Sequence, residues 1–367
     1  MASEKVSRRG FMRKAATLTA ATTAVYSWEE HDLLAHQQGQ PPPPGQRGGP
    51  PGDPEGRGFG GGRGQAPVPD VPGPMPMGKI GNLELSRLIA GHNLVVGQAH
   101  SRDLLWTSQL LRAYFTEEKI LETFAQFEKK GINASTARMS AQMIEPVKKY
   151  MKGGGKLKWI AGISAQPDGD VSRDLAMALD IGSVAGYVHG NTADALFRAK
   201  NIAAIGKAVE NMRKANLVAG VCCHLLDVPI ALERAGIRPD FYMKTFHSGN
   251  YWSAGPPIEP NPNWKPTETE LAQAELGAWG TRNNIWDTTP KQTAAFMANL
   301  NLPWIGFKVL AAGALSPREA FRYSFQNGCD FIMVGMYDFQ VADNANIAKQ
   351  ILVVEKDKLV RTRPWLA

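Results

Sequence analysis

Beyond residue 77 the chain alternates between two patterns of apolar and polar positions. A short, mostly apolar segment ends in a polar residue, and an amphipathic stretch with helix punctuation comes after it. The apolar segments are 85–93, 134–139, 157–166, 181–190, 217–224, 241–247, 304–313 and 331–337. Continuous apolar strands alternating with helices predict a buried parallel sheet. The helices carry start and stop signals. Thr116 caps Glu117 and Glu118, whose charges suit a helix N-terminus, and Ile120, Leu121, Phe124 and Phe127 then form one apolar face ended by Gly131. Ser316-Pro317-Arg318-Glu319 reads as a capping box with Pro at the first helical position, stopped by Gly328. Asp194 and Asp227 read as two further helix starts.

Eight such units predict a closed (β/α)8 TIM barrel of the α/β class over 77–367, a span of ordinary size for that fold. Neither GxGxxG nor GxxxxGK[ST] comes after any strand, which argues against an open, doubly wound nucleotide-binding sheet.

The region before the barrel obeys different rules. Ser7-Arg8-Arg9-Gly10-Phe11-Met12-Arg13-Lys14 precedes a weakly apolar, Thr- and Ala-rich stretch at 15–24. This resembles a twin-arginine export signal, an address read by a receptor and excluded from fold reasoning. The expected divisions are a signal segment at 1–27, a spacer at 28–76 and the barrel. The spacer is disordered on composition, because Pro, Gly and Gln at this density cannot bury a core. Export through the twin-arginine machinery in folded form implies a periplasmic or other extracytoplasmic location. The signal is too short and too Thr-rich to be a stable spanning helix, so membrane contact is expected only through an uncleaved signal.

Net charge is +7, spread without a basic run, which excludes a nucleic-acid footprint and leaves a mild preference for anions. The three cysteines exclude a disulfide framework. Cys222 and Cys223 are adjacent in a strand and point to opposite faces.

In a barrel of this kind chemistry sits at the C-terminal ends of the strands. Those ends carry His92 and Asn93, Arg138, Gln166, His189 and Asn191, His224, Lys244 and His247, Lys308, and Met336 with Tyr337 and Asp338. Four of the five barrel histidines fall at such ends. The expected catalytic residues are His189, Lys244, Lys308 and Arg138; His92, Asn93, Gln166, Asn191, Trp252 and Trp286 are expected at the substrate. Two chemistries fit the ring. His189, His224 and His247 could hold a divalent, Zn-like metal that activates water or polarises a carbonyl. Alternatively the histidines and lysines act as acids, bases and electrophiles around an organic substrate. Parity sets Lys244 and His247 on opposite faces unless the strand ends before His247. The long segment 248–287, with Tyr251, Trp252, Trp264, Trp279 and Trp286, is either an aromatic platform for a sugar ring, with Trp106 and Tyr114, or a pinned loop.

Gly81-Asn82-Leu83-Glu84-Leu85-Ser86-Arg87-Leu88, Lys129-Lys130-Gly131-Ile132-Asn133, Tyr187-Val188-His189-Gly190, Lys308-Val309-Leu310-Ala311-Ala312-Gly313 and Val334-Gly335-Met336 resemble, in their order, the aldo/keto reductases. The resemblance implies a (β/α)8 barrel with NADP at the strand ends and an Asp, Tyr, Lys and His tetrad. His189 matches the family's His. The Asp is missing from Ala134-Ser135-Thr136-Ala137-Arg138 and the Tyr from the residues just after it. The Lys is missing near Ile163-Ser164-Ala165-Gln166, and there is no KSxxxxR beyond the last strand. The barrel thus carries over without the reductase mechanism. The expected function is acid/base or metal-assisted conversion of a small polar, carbohydrate-like molecule by a lyase, isomerase or hydrolase. The alternatives are an oxidoreductase with tightly bound NAD(P) and a non-catalytic periplasmic ligand-binding barrel.

Overall fold

The structure, a computed structural model, describes residues 68–98, 106–251 and 286–367. The signal segment, most of the spacer, and Trp252, Trp264 and Trp279 lie outside the described residues.

A hairpin comes first: β1 (Met77–Ile80) and β2 (Leu83–Ser86) pair antiparallel, Met77 opposite Ser86 and Ile80 opposite Leu83. Its loop is Gly81-Asn82, with Gly81 at φ +58°, the conformation a two-residue turn needs at its first position. Eight further strands build the barrel: β3 (Leu88–Gly91), β4 (Ala134–Arg138), β5 (Lys158–Ile163), β6 (Ala185–Val188), β7 (Val218–Cys223), β8 (Phe241–Thr245), β9 (Trp304–Phe307) and β10 (Phe331–Gly335). All are parallel, and they close in the order β10-β3-β4-β5-β6-β7-β8-β9. This is the expected (β/α)8 barrel.

The helices are α1 (Thr107–Tyr114), α2 (Glu117–Lys129), α3 (Ala141–Lys152), α4 (Ser172–Asp180), α5 (Gly190–Arg198), α6 (Ile202–Lys214), α7 (Asp227–Arg234), α8 (Pro290–Ala298), α9 (Pro317–Gln326) and α10 (Asp338–Lys349). Among the described residues no helix is long and apolar enough to cross a membrane. Thr116 caps α2 through the Lys119 amide, and Ile120, Phe124 and Phe127 are buried as their spacing predicts. At α9 Ser316 accepts the Glu319 amide, but the return bond of a capping box is not formed. Asp227 is the first residue of α7 rather than its cap, and Asp194 lies inside α5 rather than before it.

Strand parity divides the apolar side chains into two layers. Ile89, Ala134, Ile160, Ala185, Tyr187, Cys222, Phe241, Met243, Ile305 and Phe331 fill the lumen, joined from below by Ile80 and Leu85 of the hairpin. Residues of the opposite parity, among them Ala137, Val221, Cys223, Tyr242 and Trp304, pack against the helices. Each large side chain so buried contributes about 1.5–3 kcal/mol. All three cysteines are free, and Cys222 and Cys223 face opposite layers as expected.

Packing begins earlier than the expected boundary at 77. Met75 is buried in the outer layer, and the Val71 amide donates to Asn346 Oδ1 at 3.2 Å. The compact unit runs Pro67–Ala367, so the last part of the Pro-rich stretch belongs to it.

Candidate active site

Ile80 and Leu85 of the hairpin pack beneath the lumen, and the candidate residues lie at the opposite, C-terminal end of the strands. Ala134, Thr136 and Arg138 alternate inward on β4, which lifts Arg138 to the rim. There it lines a cleft of about 300 Å³ with Ser140, Gln166, Arg173, Asp174 and His189. That volume suits a small molecule. Gln166 is an exposed wall residue whose amide donates to the Asp170 carbonyl at 2.9 Å. Asp174 accepts the Ser164 amide at 2.8 Å, so it is engaged by its own wall. Asn93 lies in the turn after β3, where its carbonyl accepts the Gln98 amide, and Asn191 lies in the first turn of α5.

His92, just past β3, is buried. His92 Nδ1 lies 2.8 Å from Thr136 Oγ1, whose other polar neighbour is the Ala90 carbonyl at 3.4 Å. Nε2 has no hydrogen-bond partner among the described residues. Burial first, then the charges of His189, Arg138 and Lys308, push the ring down to about 3. His189 ends β6 and precedes α5. Its ring is also pushed down to about 3, by burial and then by Arg138, His224 and Lys308, with Asp194 opposing. Both rings are therefore neutral near pH 7.

His224 lies just past β7 with the parity of Cys222 and is buried with Asp194. Asp194 Oδ2 lies 2.7 Å from His224 Nδ1, and the carboxylate also accepts the backbone amides of His224 and Leu225 at 3.1 and 3.2 Å. A carboxylate can only accept, so Nδ1 carries the proton and Nε2 the lone pair. Burial lowers the His224 pKa, and the bond and charge of Asp194 work against that fall. In the sequence Asp194 has the look of a helix start, which hides its role at the site. The available signal is an acid on the apolar face of α5, beside Ala193 and one turn from Gly190.

The remaining expected residues have other roles. Lys244 shares parity with Tyr242, not with the inward Met243 and Thr245. Its fully buried ammonium donates to the Thr245 carbonyl and hydroxyl at 2.9 Å and lies 3.8 Å from Asp287, away from the mouth. His247 lies just past the end of β8. Its Nδ1–H donates to the Ser248 carbonyl at 3.0 Å, while Nε2 accepts the amides of Trp286 and Asp287 at 3.0 and 3.1 Å. Both nitrogens are used to pin the returning chain, so the ring cannot join a metal. Among the described residues no group of three or more His, Cys, Asp or Glu could hold a metal ion, and His189, His224 and His247 do not form the expected ligand trio. Trp286 is buried rather than presented as an open platform, and Lys308 Nζ lies 3.8 Å from its ring centre, a cation–π contact. Lys308, Ala311 and Ala312 adopt left-handed φ of 57°, 46° and 56°. The expected strand at 304–313 thus stops at Phe307, and a strained turn carries Lys308 over the mouth.

A nicotinamide dinucleotide can be tested against the end of β10, where barrels of this fold often bind phosphate. The first turn of α10 is taken by Asp338, whose carboxylate accepts the Tyr114 hydroxyl and, at 3.0 Å, the Lys119 ammonium. Gln340 Oε1 accepts the Tyr337 amide at 3.1 Å across the same turn, and the Gln340 amide donates to the Tyr337 carbonyl at 2.9 Å. A phosphate there would meet a carboxylate instead of free amides, so the residues present do not fit one.

No family model and no curated protein matches this chain. Solved structures similar to it include an aldo-keto reductase from Pseudomonas aeruginosa at 14% identity, covering 76% of this chain and 94% of that one, with a TM-score of 0.49. An aldo-keto reductase from Bacillus halodurans, in holo form, shares 11% identity over 78% and 97% of the two chains, with a TM-score of 0.47. A truncated 3-deoxy-D-arabino-heptulosonate 7-phosphate synthase from Thermotoga maritima shares 11% over 78% and 95%, with a TM-score of 0.43. At this level of likeness they say nothing of this chain's chemistry, and the barrel rests on its own closed strand order.

Proposed function

We propose that this chain is an exported barrel enzyme that performs acid/base chemistry on a small polar molecule, with His224 as the base. The buried His224–Asp194 pair at the end of β7 carries the reading. A carboxylate that fixes the tautomer and stabilises the imidazolium makes Nε2 a proton acceptor in a site that otherwise discourages protonation. Arg138 and Lys308 supply positive charge for an anion developing on substrate, as in an enolisation, elimination or isomerisation. His92 and His189, neutral near pH 7, orient polar groups rather than exchange protons. Reductase chemistry has no tetrad here and no fitted phosphate site. The twin-arginine signal resemblance at the N-terminus supports handling by that export machinery and a location outside the cytoplasm, with no nucleic-acid partner.

The test is exchange of carbon-bound protons with deuterated solvent, monitored by NMR on a panel of sugars and hydroxy acids. His224→Asn is expected to abolish exchange, and Asp194→Asn to slow it by about a hundred- to ten-thousandfold. Full exchange in His224→Asn sinks the reading. So does a stoichiometric nicotinamide on the protein purified folded from cytoplasm, or a stoichiometric metal lost in His189→Ala.

A further inference from the structure

We propose that the cleft takes a small hydroxycarboxylate, its carboxylate on Arg138 and a hydroxyl on His92 Nε2. The inference rests on the acid/base reading for its location and goes beyond it in naming the substrate class.

Two unmet needs define the ligand. Arg138 is half-buried in the cleft wall and has neither an ion pair nor a side-chain hydrogen bond among the described residues. The cleft's acids do not serve it: Asp174 is engaged by the Ser164 amide, and Asp170 by the amide and hydroxyl of Ser172. Elsewhere, Asp194 is held by three N–H groups, and Asp287 lies beside Lys244, away from the mouth. A guanidinium so placed binds a carboxylate through two parallel bonds.

The second need is that of a neutral polar atom. His92 is only 5% exposed, its Nδ1 is engaged by Thr136, and Nε2 is buried with no partner among the described residues. Leaving such an atom unmet is unfavourable, and a hydroxyl on a ligand, which can donate or accept, meets it. His92 is held by Thr136, which shares the inward face of β4 with Arg138 two residues on, so both needs belong to one mouth. The complementary molecule carries an anion and, beside it, an O–H. A phosphate dianion suits the cleft less well, because Asp170 and Asp174 line the same wall as Arg138. Sugar acids belong to the hydroxycarboxylate class, and the small cleft volume fits them.

The experiment is calorimetric titration of the full chain with D-gluconate, with sorbitol as the uncharged polyol, pentanoate as the hydroxyl-free acid, and glucose 6-phosphate. Gluconate is expected to bind at least about tenfold more tightly than each of the other three. Arg138→Leu is expected to remove its advantage over sorbitol. His92→Phe is expected to remove its advantage over pentanoate while leaving pentanoate unchanged. Sorbitol or pentanoate binding as well as gluconate overturns the proposal, as does tighter binding of glucose 6-phosphate. These comparisons need only wild-type protein and no turnover. Gluconate selectivity without proton exchange therefore sinks the acid/base reading alone, and exchange without gluconate selectivity sinks this one alone.

Discussion

Gly190 lacks a side chain at a position with no room for one. A Cβ there would lie 2.9 Å from His224 Cε1 and 3.1 Å from Cys222 Sγ, both on the neighbouring strand. Gly190→Ala is expected to push the His224 ring off Asp194 and to cost about 1–3 kcal/mol of stability through overpacking. A lowered unfolding midpoint together with lost proton exchange checks this, and an unchanged midpoint would refute it. At this scale the sequence is informative about where polar residues collect, less so about which way they face. His92, Arg138, His189 and His224 are legible because strand ends converge on the mouth whatever the details of packing. Lys244 is not, because a single apolar run hides parity, and only the observed end of β8 at Thr245 shows it facing the outer layer. His247 has the look of a ligand in the sequence because its occupation depends on backbone amides 39 and 40 residues away, which no local pattern reveals.

Among elements, the segment after α10 turns under the barrel floor and locks onto β10. Asp330 is fully buried there and accepts the Trp304 and Leu366 amides at 3.0 and 2.9 Å as well as the guanidinium groups of Arg361 and Arg363. Trp365 is stacked between Arg87 and Arg361 at 3.8 and 3.4 Å. Asp330→Ala leaves two buried cations short of their counterion and is expected to cost about 3–5 kcal/mol, read as a lower urea midpoint. Proton exchange per folded molecule should be unaffected, because the lock lies at the end opposite the mouth. Loss of activity without loss of stability would contradict this. The eight barrel strands are legible because each is a continuous apolar run, the consequence of being covered on both faces. The hairpin is not, although Gly81-Asn82 is a two-residue turn signal, because β2 adjoins β3 and the two read as one segment. The strand after α8 is shorter than its apolar run, since Val309, Leu310 and Ala311 are apolar for packing beneath a turn, not for pairing.

For the molecule as a whole, the mouth gathers histidines that folding keeps neutral, and this couples stability to pH. An unfolded histidine titrates near 6.5, whereas His92 and His189 are both pushed to about 3, and His224 and His247 are also lowered, all chiefly by burial. Between those values the unfolded chain binds more protons than the folded one, so stability is full above pH 6.5 and falls as the pH is lowered toward 3. Each ring held neutral adds a slope of about 1.4 kcal/mol per pH unit in that window. The lowered carboxylates, such as Asp170 and Glu128, start from ordinary values of 3.8 and 4.5 and act below about pH 5. The interval from 6.5 to 5 therefore belongs to the histidines. Urea unfolding of the full chain at pH 7, 6 and 5 is expected to show stability dropping at each step, and less steeply in His92→Phe. His247 belongs to the same trend, because only a neutral ring can accept the Trp286 and Asp287 amides that hold the chain under Lys308. A flat urea midpoint across that interval would show that these rings are protonated in the native barrel, and the neutral ring at His92 would fall with it.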